Sequence, residues 1–413
     1  TPRFGNYIRD NLKKNDEPEM KWTVQTMFKY KEVGNKRLFN HIPSQVDFIV
    51  INNLTKEPIP YDNINRSKII INDIAKLQFK GKEINNDLSN IFLNENETFL
   101  TEIPDSRIIS EKKYIMKGKD IIFPRGNYKI LKDLIIPNNY NLIINSGVNF
   151  YMSPNVNILI KGGNLNIKGT KINPVIIDQL IAKKNWGTIS ILSAKKISNI
   201  SYAKILNGGS NIKFLAKGVY YTGQLNFFHS DIKIDNTYIE YSNAEDAINV
   251  KKSFFSFNKV VLRNNKFDAF DGDWANGEIK NSIISTNGND GLDFSGSKVV
   301  IKDSILNNMG DKSLSVGEQS TIDIINCIFV NSNYAIAVKD LSKVRVFGSS
   351  IYNNNYGIAV YRKKPIFGSG IITVFGSLIW NNTKNFMPDE NARIILNNYD
   401  NIEHINFTKE IIG

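Results

Sequence analysis

The chain is poor in the residues on which many active sites are built, with one cysteine and three histidines among 413 residues. The lone Cys327 excludes intramolecular disulfides and any multi-cysteine zinc site, and reads as a small buried apolar side chain. His41, His229 and His404 are far apart and match no catalytic-triad or zinc spacing. No run reaches the ~18 uninterrupted apolar residues of a membrane span, so none is expected. The opening Thr1-Pro2-Arg3 has neither a methionine nor a secretory apolar segment, which reads as a mature or trimmed chain. Gly162-Gly163 and Gly208-Gly209 read as turns, and no phosphate-binding loop is present. Helical periodicity is also missing between residues 130 and 380.

What the chain does have is an excess of positive charge, 52 Lys+Arg against 40 Asp+Glu, for a net +12. That balance points to anionic partners. Hydrophobic residues make up 41%, too much for a disordered chain and enough for a large core. At roughly 100–200 residues per domain the length fits two or three units, or one long repeat array.

The array is legible. A five-residue phrase recurs as Asp246-Ala247-Ile248-Asn249-Val250, Asp268-Ala269-Phe270-Asp271-Gly272, Asp290-Gly291-Leu292-Asp293-Phe294, Lys312-Ser313-Leu314-Ser315-Val316, Tyr334-Ala335-Ile336-Ala337-Val338 and Tyr356-Gly357-Ile358-Ala359-Val360. Each phrase starts 22 residues after the last. Short strands such as Val299-Val300-Ile301 and Ile322-Asp323-Ile324 alternate with turns rich in Asn, Gly and Ser. Short strands with three corners per period predict an all-β parallel β-helix, each coil pairing with the coils above and below. Asn264-Asn265, Asn307-Asn308, Asn331 and Asn353-Asn354-Asn355 suit the corners, because Asn tolerates a left-handed backbone and its amides stack. Upstream, Ile143 and Leu165 are also 22 apart and suggest the same period in a less regular form.

The expected organisation has three parts. Residues 1–127 form a small α+β or β-sandwich-like unit that caps the first coil, with a helix within Tyr7 to Lys36 and strands at Val46–Ile51 and Lys68–Ile71. Residues 128–385 form about a dozen coils, a rod on the order of 55–60 Å long. Residues 386–413 cap the other end, since an open coil end exposes unpaired backbone. The chain is expected to be a monomer.

Alternation along the strands selects the side chains available for chemistry. With Ile248 and Val250 pointing inward, Asn249, Asp271, Asp293, Ser315, Ala337 and Ala359 form one outward column. Asp246, Asp268, Asp290, Lys312, Tyr334 and Tyr356 form a second beside it. Five carboxylates thus share one strip of a positive protein, with Glu245 and Asp273 nearby. Adjacent coils lie ~4.8 Å apart, so these groups raise one another's pKa or require a cation. Two chemistries need such a cluster: glycosidic hydrolysis by an acid and a base, and lyase or epimerase chemistry in which carboxylates hold Ca²⁺ against a uronate while a basic group removes its C5 proton. Asp at coil corners also caps turns, so a purely structural use stands beside both. Lys312 breaks the acidic column as either a charge partner or the base. Beyond it Lys339, Lys343, Arg345, Arg362, Lys363 and Lys364 gather among Tyr334, Tyr356 and Tyr361, a pattern suited to acidic sugars. It equally fits solvated coil faces, and no nucleic-acid module is recognisable.

The run Gly163-Asn164-Leu165-Asn166-Ile167-Lys168-Gly169-Thr170 with Trp186-Gly187, and the phrases from 240 to 380, resemble the right-handed parallel β-helix superfamily of pectate-lyase type. The phrases around Asp268–Trp274, Asn289–Asp293 and Gly310–Glu318 are also similar to β-helix regions of bacterial surface and spore-coat-associated proteins. The resemblance implies a right-handed coil and an extracellular or cell-surface location. The order Asp268, then Asn289-Asp290, then Gly310-Asp311-Lys312 is similar to that of polygalacturonases, but no Asp-Asp pair is intact and Lys312 stands where they carry histidine. The reading that follows is a protein acting on an acidic polysaccharide by β-elimination or C5 epimerisation. Asp268, Asp290 and Lys312 would be catalytic, with Lys312 the base. Asp246, Asp271 and Asp293 would hold Ca²⁺, and Arg345, Arg362, Tyr334 and Tyr356 would bind substrate. The alternatives are inverting hydrolysis by Asp268 and Asp290, and a non-catalytic glycan-binding or structural module.

Overall fold

The computed structural model describes residues 114–209 and 221–397, with short strand pieces elsewhere. The chain divides into two compact units, residues 1–102 with 213–220, and residues 103–212 with 221–413. In the first, Lys31–Val33 pairs antiparallel with Lys36–Leu38, and Gln78–Phe79 with Lys82–Glu83. The end of the expected Tyr7 to Lys36 helix is therefore strand, with Lys31 opposite Leu38, Glu32 opposite Arg37 and Val33 opposite Lys36. The rest of that helix, and the expected strands at Val46–Ile51 and Lys68–Ile71, lie outside the described residues.

The second unit is a β-solenoid. An eleven-stranded parallel sheet forms its first face, and a 22-stranded sheet carries the second and third faces side by side. Its coils run from Asp120–Phe123 to Arg393–Asn397. The equal steps read from the sequence are the register of the first face: Asp246 pairs with Asp268, Phe270 with Leu292, Leu292 with Leu314, and Ile336 with Ile358. Each step returns a like residue above its predecessor, so Ile248, Phe270, Leu292, Leu314, Ile336 and Ile358 stack in the core at 0% exposure. The strand amides then find their partners one coil away, which is how short strands without helices satisfy a buried backbone.

The corners are held by buried polar ladders. The amide of Ala275 donates to Ser297 Oγ (2.9 Å) and that of Ser297 to Ser320 Oγ (3.0 Å). At a second corner the amides of Val260 and Ser282 donate to Ser282 Oγ and Ser304 Oγ. At a third the amide of Ser332 donates to Asn354 Oδ1 (2.9 Å), and that of Asn354 to Asn382 Oδ1 (3.0 Å). Asn264, Asn308, Asn331 and Asn353 take the left-handed backbone expected of corner residues, with φ between 56° and 61°. Cys327 is buried within the second ladder, its amide donating to Ser349 Oγ (3.0 Å), and burial pushes its thiol pKa up to about 12. Replacing the buried Asn354 by alanine removes one acceptor and three donated bonds. Denaturant titration should show a loss of about 1–3 kcal/mol.

Upstream the register differs from expectation by one residue. Leu165 pairs with Leu142 and Ile167 with Ile144, while Ile143 pairs with Asn166. Side chains alternate with period two, so a one-residue shift exchanges the core face for the outer one, and Leu142 and Ile144 fill the core. Longer steps also occur: Ile189 lies over Leu225, and Lys384 over Tyr356. The added residues fall between Leu206 and Gly223, where Phe214–Ala216 and Val219–Tyr221 form a separate two-stranded sheet, and in the turn after Tyr361.

Candidate functional site

Three outward columns cross the first face in the regular coils. Asp246, Asp268, Asp290, Lys312, Tyr334 and Tyr356 stand at strand entry, and Asn249, Asp271, Asp293, Ser315, Ala337 and Ala359 at the middle. A third, at strand exit, holds Lys251, Asp273, Ser295, Gly317, Lys339 and Tyr361. The six aspartates all stand in the first three of these coils, with Lys251 beside them in the first coil and Lys312 and Lys339 in the two coils that follow.

Most of these carboxylates are tied to neighbours one coil away. Asp246 accepts from Thr222 Oγ1 (2.6 Å) and Asn249 Nδ2 (3.0 Å), and Asp271 accepts from the same Asn249 amide (2.7 Å). Lys251 Nζ donates to Asp273 (2.6 Å) and lies 3.9 Å from Asp271. Asp268 accepts from the amide of Asp290 (2.8 Å) and from Asn289 Nδ2 (2.6 Å). Asp290 accepts from the amide of Lys312 (3.0 Å) and its ammonium (3.3 Å), which also pairs with Asp311.

One group converges. Asp268, Asp290 and Asp293 each offer an oxygen, all within 4.8 Å of one another, and could hold a metal ion. Of the residues expected to bind a cation, Asp293 belongs to this group while Asp246 and Asp271 do not. Their place is taken by Asp268 and Asp290, which lie one coil apart at strand entry and reach the middle column. Asp246 is buried against Thr222, and Asp271 faces Asn249 and Lys251, which is why they do not turn towards the group.

The electrostatics are graded along the strip. Burial, then Asp246 and Asp290, pushes the Asp268 pKa up to about 8. Burial and Glu245 push Asp246 to about 7, and burial with Asp293 pushes Asp290 to about 6. Asp271 is raised well above its usual range by burial, Asp273 and Asp246. At Asp293 burial acts in the same upward sense, but Lys339, a Ser315 hydrogen bond, Lys363 and Lys312 outweigh it and the carboxyl falls below its usual range. Lys312 loses something to burial, yet Asp290 and Asp311 hold its ammonium above the ordinary lysine range. These pairs are the surroundings of a charge partner, one of the two roles expected for Lys312. Lys363 moves the other way: the ammonium of Lys339, then burial, lowers its pKa.

The expected substrate-binding residues separate. Tyr334 and Tyr356 stack at 4.6 Å at strand entry beyond Lys312, with Lys384 5.9 Å from the Tyr356 ring centre. Arg345 is on Lys343–Phe347 of the 22-stranded sheet, and its guanidinium bonds both oxygens of the buried Asp323 at 2.6 Å. It does not join the strip, because outward positions on that strand face away from the first face. Arg362 follows the last regular strand and starts the long turn. Lys251 and Lys339 were legible at the 22-residue spacing, one residue beyond each phrase. Lys363 had no periodic signal, because it stands in a turn outside the repeat. Of the histidines, His229 is described, its ring edge-on to Phe228 at 4.8 Å and outside all three columns.

Residues 229–367 match the family model described as a right handed beta helix region. Similar solved structures include the A-module of a mannuronan C-5 epimerase from Azotobacter vinelandii, at 10% identity over 67% of this chain and 90% of that one, TM-score 0.42. A periplasmic alginate epimerase is 11% identical over 70% of this chain and 80% of its own, TM-score 0.36. The catalytic unit of a GH87 α-1,3-glucanase from Streptomyces thermodiastaticus is 14% identical over 68% of this chain and 62% of its own, TM-score 0.38. No curated protein matches the chain in sequence. Among the described residues, no helix is long and apolar enough to cross a membrane.

Proposed function

We propose that the protein acts on an acidic polysaccharide, removing the C5 proton of a uronate residue so that the chain is cleaved by β-elimination or the sugar is epimerised. The observation that carries this reading is the convergence of Asp268, Asp290 and Asp293 within 4.8 Å, at the point where the strip turns from acid to base. Three carboxylate oxygens so placed suit a hard divalent cation, since an ion ~2.3–2.6 Å from each spans oxygens up to about 5 Å apart. Such an ion would draw the sugar's carboxylate and make the adjacent C–H more acidic. Lys339, buried beside Asp293 and hydrogen-bonded to Ser315 Oγ (2.7 Å), offers a second positive charge to that carboxylate. Lys363 is the proton acceptor in this reading, because the neighbouring Lys339 ammonium and burial lower its pKa. Lys312 neutralises Asp290 and Asp311.

Asp268 held protonated beside an ionised Asp293 is also an acid–base pair of the kind that hydrolyses glycosides. The short oxygen separation argues against the inverting form, which needs ~6.5–9.5 Å to seat a water. A panel of polyuronates with calcium distinguishes these readings. Elimination gives the ultraviolet absorbance of a conjugated product, and epimerisation carries solvent deuterium to C5. Lys363→Met and Asp290→Asn should each lower the rate on the order of 10²–10⁴-fold. New reducing ends without either signal would move the reading to hydrolysis. No turnover on the whole panel, with glycan binding indifferent to Asp290→Asn, would remove the enzymatic reading.

A further inference from the structure

The turn between Tyr356–Tyr361 and Ile371–Phe375 breaks the repeat, so that Lys384 rather than a residue 22 positions on lies over Tyr356. It is fastened at both sides. Asp389, from the following coil, accepts from the amide of Arg362 (2.8 Å) and from Ser369 Oγ (2.6 and 2.7 Å). Asp340, from the preceding coil, accepts from the amides of Lys363 and Lys364, both at 2.8 Å, through Oδ1 alone. The amide of Leu341 donates to the carbonyl of Gly368 (3.0 Å). Lys364 pairs with Glu318, which follows the strand Lys312–Gly317 two coils earlier. The turn therefore folds back across its predecessors and brings Lys363 within electrostatic reach of Asp293, Lys339 and Lys312.

Asp340 is fully buried, and its Oδ2 has no hydrogen-bond partner among the described residues. A buried carboxylate with an idle oxygen is costly to fold. Its two amide bonds hold in place the segment that delivers Lys363.

We infer that the segment Arg362–Gly370 is a strap and that Asp340 is the positioning residue that keeps Lys363 within reach of Asp293. The role of Lys363 rests on the function proposed above, while the fastening of the strap does not. Asp340→Ala frees both amides, whereas Asp340→Asn keeps one oxygen to accept them. Trypsin reads the fastening directly, because the bonds after Arg362 and Lys363 are open to it once the strap is loose. In the full-length protein, Asp340→Ala should be cut at these bonds about tenfold faster or more than wild type, with Asp340→Asn close to wild type. Equal cutting of Asp340→Ala and wild type overturns the fastening.

Turnover on polyuronates is the second arm. Asp340→Ala should lose kcat by a factor similar to that of Lys363→Met, with KM little changed and with Asp340→Asn restoring it. Full activity in Asp340→Ala, in a wild type that does turn over, overturns the positioning role and leaves the proposed function standing. A wild type that turns over no polyuronate defeats that function instead, and the trypsin result still decides the strap. Unfolding curves of all variants separate a loose strap from a damaged solenoid.

Discussion

Adding calcium at pH 8.5 should raise the thermal unfolding midpoint, and in its absence the protein should be less stable at pH 8.5 than at pH 5.5. Asp290, Asp246 and Asp268 titrate at about 6, 7 and 8 in the fold, against ~3.9 in an unfolded chain. The folded state thus holds protons that the unfolded state has released. A carboxyl raised in this way favours folding when protonated, so its contribution is fully present below ~4 and declines as pH rises through 6 to 8. Above that range the strip carries uncompensated negative charge. A divalent cation held by Asp268, Asp290 and Asp293 takes the place of those protons. At a hundredfold excess over its dissociation constant it contributes about 2.7 kcal/mol. At roughly 2–4 °C per kcal/mol for a unit of this size, the midpoint rises by about 5–10 °C. Circular dichroism melts at both pH values, with calcium and with a chelator, check this. Asp268→Asn should flatten the pH dependence. Equal midpoints at the two pH values and no response to any divalent cation would show that the strip holds neither protons nor metal.

Phe270→Ala should be the most damaging single core truncation in the regular coils, at about 3–5 kcal/mol. The ring is fully buried, with centroids of Phe255, Phe257 and Phe294 at 5.1, 5.5 and 5.3 Å. It also explains why Gly272 interrupts an apolar position of the repeat: a Cβ there would meet Phe270 at 2.8 Å and Phe294 at 3.0 Å. The cavity left by the truncation would be bounded by β-strands of adjacent coils, which are poorly able to collapse into it. Phe267→Ala, at a ring 43% exposed, should change stability by less than about 0.5 kcal/mol. Urea titration of the two variants side by side tests the contrast, and similar losses would mean that the aromatic stack is not the centre of the core.

The readable parts of this protein are those that repeat. Inward Ile, Leu and Phe at a fixed spacing, Asn at each corner and Asp at two outward positions state the coil and two of its columns without any knowledge of distant contacts. The weaker upstream period misled by one residue, because Leu142, Ile143 and Ile144 are all apolar and their run has no alternation to set the face. Arg345 follows the acidic coils in sequence yet stands on another face, because a coil has three faces and sequence proximity does not choose among them.

By itself the sequence determined the solenoid, its period and the fact that carboxylates from neighbouring coils share one face, because strand alternation and equal spacing are local rules that the fold only repeats. The tertiary structure alone decided that Asp268, Asp290 and Asp293 converge while Asp246 and Asp271 turn to Thr222 and Asn249. It also decided that Lys312 pairs with Asp290 and Asp311, and that Lys363 comes within electrostatic reach of Asp293 from outside the repeat. Those outcomes depend on turns and ion pairs between coils, where a change of an ångström or two redirects a carboxylate, and no periodic pattern encodes a distance that small.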